Sequence, residues 1–211
     1  MEGRTDNTML NIPFSEPVLA DIYPLSHETM REAERRTAEE LVELLFAESA
    51  ETSIQIAHTP EGRPYIPALP HIPISLSHSG NLLALLVGSR DYIPGVDIEQ
   101  KGRNVERVRH KFINAREEKW LNRRNKQEQT ELLSILWCAK EAGYKIFTPK
   151  DASLLRFTVY PVKFLSSTFQ GVMAYEPHPE DSGYPQIQQL KFSVKILPKH
   201  YLVWALRSAD K

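Results

Sequence analysis

The chain has 211 residues, 41% apolar and 25% charged, enough for one large or two small hydrophobic cores. Its formal net charge of -1 offers no global field for a nucleic acid or an anionic membrane. No apolar run approaches the roughly 20 residues that cross a bilayer, and neither kind of partner is expected.

The opening MEGRTDNTML carries acids and no apolar stretch, so a secretory leader is not expected there. A lone Cys138 allows no internal disulfide, in keeping with a reducing cytoplasm, and no zinc-type ligand set is present. In chain order, a helix is expected over 27–47. The proline-rich stretch 58–74 cannot be regular helix and should be an extended approach to a strand at 82–88. Just before that strand, SLSHSG (75–80) offers Ser77, His78, Ser79 and Gly80 as a turn. It is either an anion-binding turn or an ordinary Ser/Gly loop. A strand at 94–99, helices at 105–111 and 115–125, and a long helix at 130–147 follow. Strands rich in β-branched and aromatic residues are expected at 154–162, 168–176, 189–197 and 201–207, with an exposed hairpin loop at 176–186. Helices interrupt strands without strict alternation, which makes the class α+β.

Chemistry concentrates in two places. In GVDIE (95–99), strand alternation puts Val96 and Ile98 on one face and Asp97 and Glu99 on the other. The acids are either a wet outer face or part of a hard-cation site, since Mg²⁺ takes oxygen ligands and is held by one or two carboxylates plus substrate phosphates. In the long helix, Leu132, Ile135, Leu136, Ala139, Gly143 and Ile146 form an apolar stripe. Trp137, Glu141 and Lys145 lie opposite, with Lys140 at the flank. Glu141 and Lys145 are either an exposed i, i+4 ion pair or part of a face that meets a ligand or a second lobe. Arg63, in EGRP, is a further candidate cation.

In order, EGRPYIP, ISLSHSG, GVDIE, FINAREEKWL and WCAKEAGYK resemble the motifs of the 4'-phosphopantetheinyl transferase superfamily, and the length resembles its larger, two-lobed (Sfp-type) members. The resemblance covers residues 60–150. It implies two similar α/β lobes related by a pseudo-two-fold axis, 1–103 and 104–211, in a cytoplasmic monomer. It implies Mg²⁺-dependent transfer of 4'-phosphopantetheine from coenzyme A to a serine of an acyl or peptidyl carrier protein; a catalytically silent coenzyme A or carrier-binding homologue is the alternative. By the same resemblance Asp97, Glu99 and Glu141 are the metal-associated acids, and Glu141 and Lys145 the catalytic pair. Lys140, Lys145, Ser77, His78 and Arg63 are the coenzyme A contacts. Glu117 matches a further family acid, although Asn114 and Glu117 also form a capping-box pattern. The N-terminal helix has Glu40 where the family carries a base, and Arg35 and Arg36 could take its place. Between 101 and 126 stand ten basic residues against three acids, a local excess that suits an acidic carrier or is simply a solvated basic face.

Overall fold

The computed structural model describes residues 15–46, 54–162, 166–181 and 186–209. The opening MEGRTDNTML lies outside them, as do position 47 of the first expected helix and 182–185 of the expected hairpin loop.

Strand β1 (Val18–Asp21) leads to helix α1 (Met30–Phe46). The side chains of Thr29 and Glu32 start α1 by bonding each other's backbone N–H, at 3.3 and 2.7 Å. Its buried face includes Ala33, Leu41, Val42 and Phe46. The proline-rich stretch is mostly loop, as expected, pinned by a short ladder of β2 (Ala57–His58) with β3 (Pro64–Tyr65). Strands β4 (Ile74–Ser79) and β5 (Leu82–Val87) form a hairpin, and β1 adds to β5, giving an antiparallel sheet in the order β1-β5-β4.

The expected turn at 75–80 is thus a correction. Ile74 and Leu76 alternate with Ser75, Ser77 and Ser79, a strand period, and the turn shrinks to Gly80 and Asn81. Gly80 sits there at φ 62, which a residue without Cβ adopts freely.

Strand β6 (Tyr92–Gln100) leaves this sheet and pairs antiparallel with β10 (His200–Ser208). It becomes the edge of a five-stranded sheet ordered β6-β10-β9-β8-β7, with β7 Phe157–Val159, β8 Thr168–Tyr175 and β9 Gln188–Ile196. Between β6 and β7 come a 3-10 helix (Val105–Lys111), helix α2 (Ala115–Leu121) and helix α3 (Lys126–Phe147). The expected helix at 115–125 stops at Leu121 because Asn125 caps a new one, accepting the Glu128 N–H at 2.9 Å. Helix α3 therefore starts four residues before the expected 130.

One core lies between α3 and the five-stranded sheet, and a second between α1 and the three-stranded sheet. A third joins the sheets through Ala84, Leu86, Val96, Ile98, Leu202 and Trp204. The observed class is mixed α/β with antiparallel sheets. Among the described residues no helix is long and apolar enough to cross a membrane.

Candidate active site

The apolar face of β6 is filled by that third core, so Asp97 and Glu99 face α3 instead. They are not wet: Asp97 is 7% and Glu99 2% exposed. Burying carboxylates is costly unless they are paired and hydrogen-bonded, and both are. Ser77 Oγ donates to Asp97 Oδ1 at 2.7 Å, and Lys145 Nζ donates to the same oxygen at 3.0 Å and to the Val96 carbonyl at 2.8 Å. Ser79 Oγ donates to Glu99 Oε1 at 2.9 Å, and Arg103 Nη1 to Glu99 Oε2 at 2.6 Å.

Glu141, one turn before Lys145, carries neither a hydrogen bond nor an ion pair among the described residues. Burial pushes its carboxyl above the usual carboxylate range. Asp97 and, more weakly, Glu99 push the same way, while Lys145 and Arg103 oppose them. Beneath the cluster, burial holds the Cys138 thiol well above its ordinary value, with Asp97 and Glu99 adding to it, so this cysteine is inert packing. The Trp137 ring meets Phe112 edge to face at 5.3 Å.

An oxygen-only set of three acids, one of them without a hydrogen bond or ion pair among the described residues and raised by burial and by the other two, suits a hard divalent cation in kind. The arrangement is not closed around one, because Lys145 and Arg103 neutralise Asp97 and Glu99. Among the described residues no three His, Cys, Asp or Glu are placed to hold a metal ion together.

Beside the cluster a cleft of about 760 Å³ opens between α1, the 56–65 segment, β4 and the C-terminal end of α3. Lys145 lines it and bonds Asp97, so cleft and acids share a side chain. Arg63 also lines it, its guanidinium docked on the α3 terminus through the Ile146 carbonyl (2.8 Å) and Thr148 Oγ1 (3.0 Å), where a cation complements the helix dipole. His78 projects into the cleft with Nδ1 3.0 Å from the Glu34 carboxylate. From α1 come Arg35 and, one turn earlier, Arg31. Arg31 went unread, although its i, i+4 spacing to Arg35 placed both on one face. Arg36 turns away to Glu28, Glu40 and the Tyr23 carbonyl.

Two expected contacts are placed differently. The Ser77 hydroxyl is committed to β6, accepting the Ile98 N–H at 3.3 Å while donating to Asp97. Lys140 is fully buried, its ammonium bonded to Glu117 Oε2 at 2.7 Å and to the Phe112 carbonyl. Burial pushes that ammonium below its ordinary value and Glu117 opposes the shift. Lys140 does not face the cleft in this structure. Glu117 is equally buried. It completes the capping box with Asn114 and accepts the Val159 N–H at 2.7 Å, so the capping reading accounts for it.

A β-strand carrying two buried acids is thus crossed by a helix that supplies a third acid and a lysine beside a cleft lined by arginines. The sequence profile of the 4'-phosphopantetheinyl transferase superfamily matches residues 94–193, a span that contains Asp97, Glu99, Glu141 and Lys145. Residues 94–193 thus carry a domain of that superfamily. A 4'-phosphopantetheinyl transferase of Bacillus subtilis is 32% identical over 100 residues, a match that spans 45% of this chain and 44% of that protein.

Proposed function

We propose that this protein transfers 4'-phosphopantetheine from coenzyme A to a serine of an acyl or peptidyl carrier protein in a Mg²⁺-dependent reaction, releasing 3',5'-ADP. The observation that carries the reading is Lys145, which lines the cationic cleft and bonds Asp97 at 3.0 Å. A pyrophosphate lying along the cleft would end at the acids.

Arg31, Arg35, Arg63 and His78 would grip the phosphates of coenzyme A. The carrier hydroxyl oxygen attacks the β-phosphorus, the bond from that phosphorus to the bridging oxygen breaks, and 3',5'-ADP leaves with the bond's electrons. Such transfer is driven mostly by positioning and charge neutralisation. Lys145 offsets charge on the departing phosphate. Glu141, the unpartnered carboxylate, takes the serine proton. Asp97, Glu99 and Glu141 would hold Mg²⁺, which when bound supplies neutralisation of the pyrophosphate oxygens; Lys145 and Arg103 would release the carboxylates they now hold. Lobes of residues 1–103 and 104–211 related by a pseudo-two-fold axis, in a cytoplasmic monomer, belong to the same reading. Strand β6, inside the first span, would then pair into the second lobe's sheet.

Incubation with apo carrier protein, coenzyme A and Mg²⁺ is expected to add one phosphopantetheine to the carrier, read by mass spectrometry, and Asp97→Ala to abolish the gain. An unmodified carrier across fatty-acid, polyketide and peptide synthesis types would overturn transfer. It would leave the silent binding homologue.

The carrier would dock on the basic 101–126 segment. Arg107, Lys111, Arg116, Lys119 and Arg123 are exposed there and have no ion pair among the described residues. Reversing the charge of Arg123 and Arg124 should raise KM for the carrier about tenfold while leaving KM for coenzyme A in place, with the increase shrinking at high salt. Steady-state kinetics with unchanged carrier KM would remove this surface from the reading.

A further inference from the structure

We propose that Ser77 and Ser79 are positioning residues that aim the carboxylates of Asp97 and Glu99; the proposal rests on the cation-assisted reading of that site. Strands β4 and β6 belong to different sheets and share no backbone ladder, yet they run side by side in the same direction. Three β6 N–H groups are accepted by serine hydroxyls of β4: Val96 by Ser75 at 3.1 Å, Ile98 by Ser77 at 3.3 Å and Gln100 by Ser79 at 3.0 Å. The spacing of two along each strand keeps all three hydroxyls on the seam.

A hydroxyl that accepts one bond still has a proton to give. Ser77 gives it to Asp97 and Ser79 to Glu99, at 2.7 and 2.9 Å. In each case the receiving residue directly precedes the one whose N–H the serine accepts. By that register Ser75 would serve residue 95, which is Gly95 and has no carboxylate. Ser75 therefore makes the seam bond alone, whereas Ser77 and Ser79 tie each acid's rotamer to the backbone of its own strand. A hydroxyl rotating away from either carboxylate would weaken two bonds together. Ser77 and Lys145 thus hold Asp97 Oδ1, and Ser79 together with the Gln100 N–H (3.1 Å) holds Glu99 Oε1, before any ligand arrives. Such outer contacts orient metal ligands and commonly change affinity tenfold or more.

Ser75 supplies the matched comparison. In the full chain, Ser75→Ala deletes a seam bond alone, whereas Ser77→Ala and Ser79→Ala delete a seam bond together with the bond to the carboxylate, so their melting temperatures should fall at least as far as that of Ser75→Ala. Mn²⁺ titrated into the protein alone, with free ion read by electron paramagnetic resonance, should bind about tenfold or more weakly to Ser77→Ala and Ser79→Ala. Ser75→Ala should keep the wild-type Kd, and Ser79→Thr should restore it. Ser79 is only half-buried, so its variants remain informative if Ser77→Ala fails to fold. A Kd for Ser79→Ala equal to that of Ser75→Ala overturns the proposal. Absence of Mn²⁺ binding by the wild-type chain overturns it together with the cation part of the proposed function, while transfer itself is decided separately by the mass assay.

Discussion

Gly95→Ala is expected to disrupt both the fold and the site, although it adds a single methyl group. A Cβ on Gly95 would sit 2.1 Å from the Ala142 carbonyl oxygen and 2.7 Å from Ile146 Cγ1. The first of these is helix backbone and cannot rotate away, so α3 must retreat from β6. Overpacking of this kind costs on the order of 3 kcal/mol when the neighbours cannot yield. The retreat also pulls at the site, because Lys145 on α3 bonds Val96 and Asp97 on β6 at 2.8 and 3.0 Å. Displacing catalytic groups by about 1 Å is worth roughly a hundredfold in rate. Urea denaturation should show the stability loss, and transfer assayed well below the melting temperature should show a fall in kcat of about that size. Wild-type values for both would mean that the closeness of β6 and α3 at Gly95 is not what builds the site.

Gly95 also marks how far the sequence could be read. Alternation along GVDIE gives the shared face of Asp97 and Glu99, and the i, i+4, i+8 spacing gives Trp137, Glu141 and Lys145, because both patterns are local. What those faces meet is set by chain crossings between distant residues, which leave no periodic trace. Helix α3 lies on the acid face of β6 only because residue 95 lacks a side chain, and nothing around Gly95 in the sequence separates a close-approach glycine from a turn glycine. The serines of β4 were hidden by composition: Ser, His and Gly weigh toward a turn, while the alternation of Ile74 and Leu76 is short. Their partners stand 20 and 21 positions later, in another sheet. Arg103 reads as one of ten basic residues and proves to be the cation on Glu99. The helix wheel placed Lys140 correctly at the edge of the apolar stripe. The resemblance implied a phosphate contact for it, whereas the structure gives it Glu117.

Lys140→Met should decide between those two roles. With the ammonium gone, Glu117 keeps its bonds from the Asn114 and Val159 N–H groups, at 3.0 and 2.7 Å, but its charge is left buried with no counter-ion. Removing one partner of a buried pair typically costs about 3–5 kcal/mol. Adding Glu117→Gln removes the stranded charge and keeps an acceptor for one N–H, so the double variant should recover a large part of that loss. The double-mutant cycle, read by urea unfolding of the four proteins, isolates the pair. The pair joins α3, the start of α2 and β7, and it fixes the rotation of α3 one residue before Glu141. Its loss should therefore lower kcat through misplaced Glu141 while leaving KM for coenzyme A near the wild-type value. If Lys140 instead leaves the interior to meet phosphate when coenzyme A binds, Lys140→Met raises KM for coenzyme A and the double variant recovers none of it. Stability loss with unchanged KM assigns Lys140 to the frame that holds the acid in place.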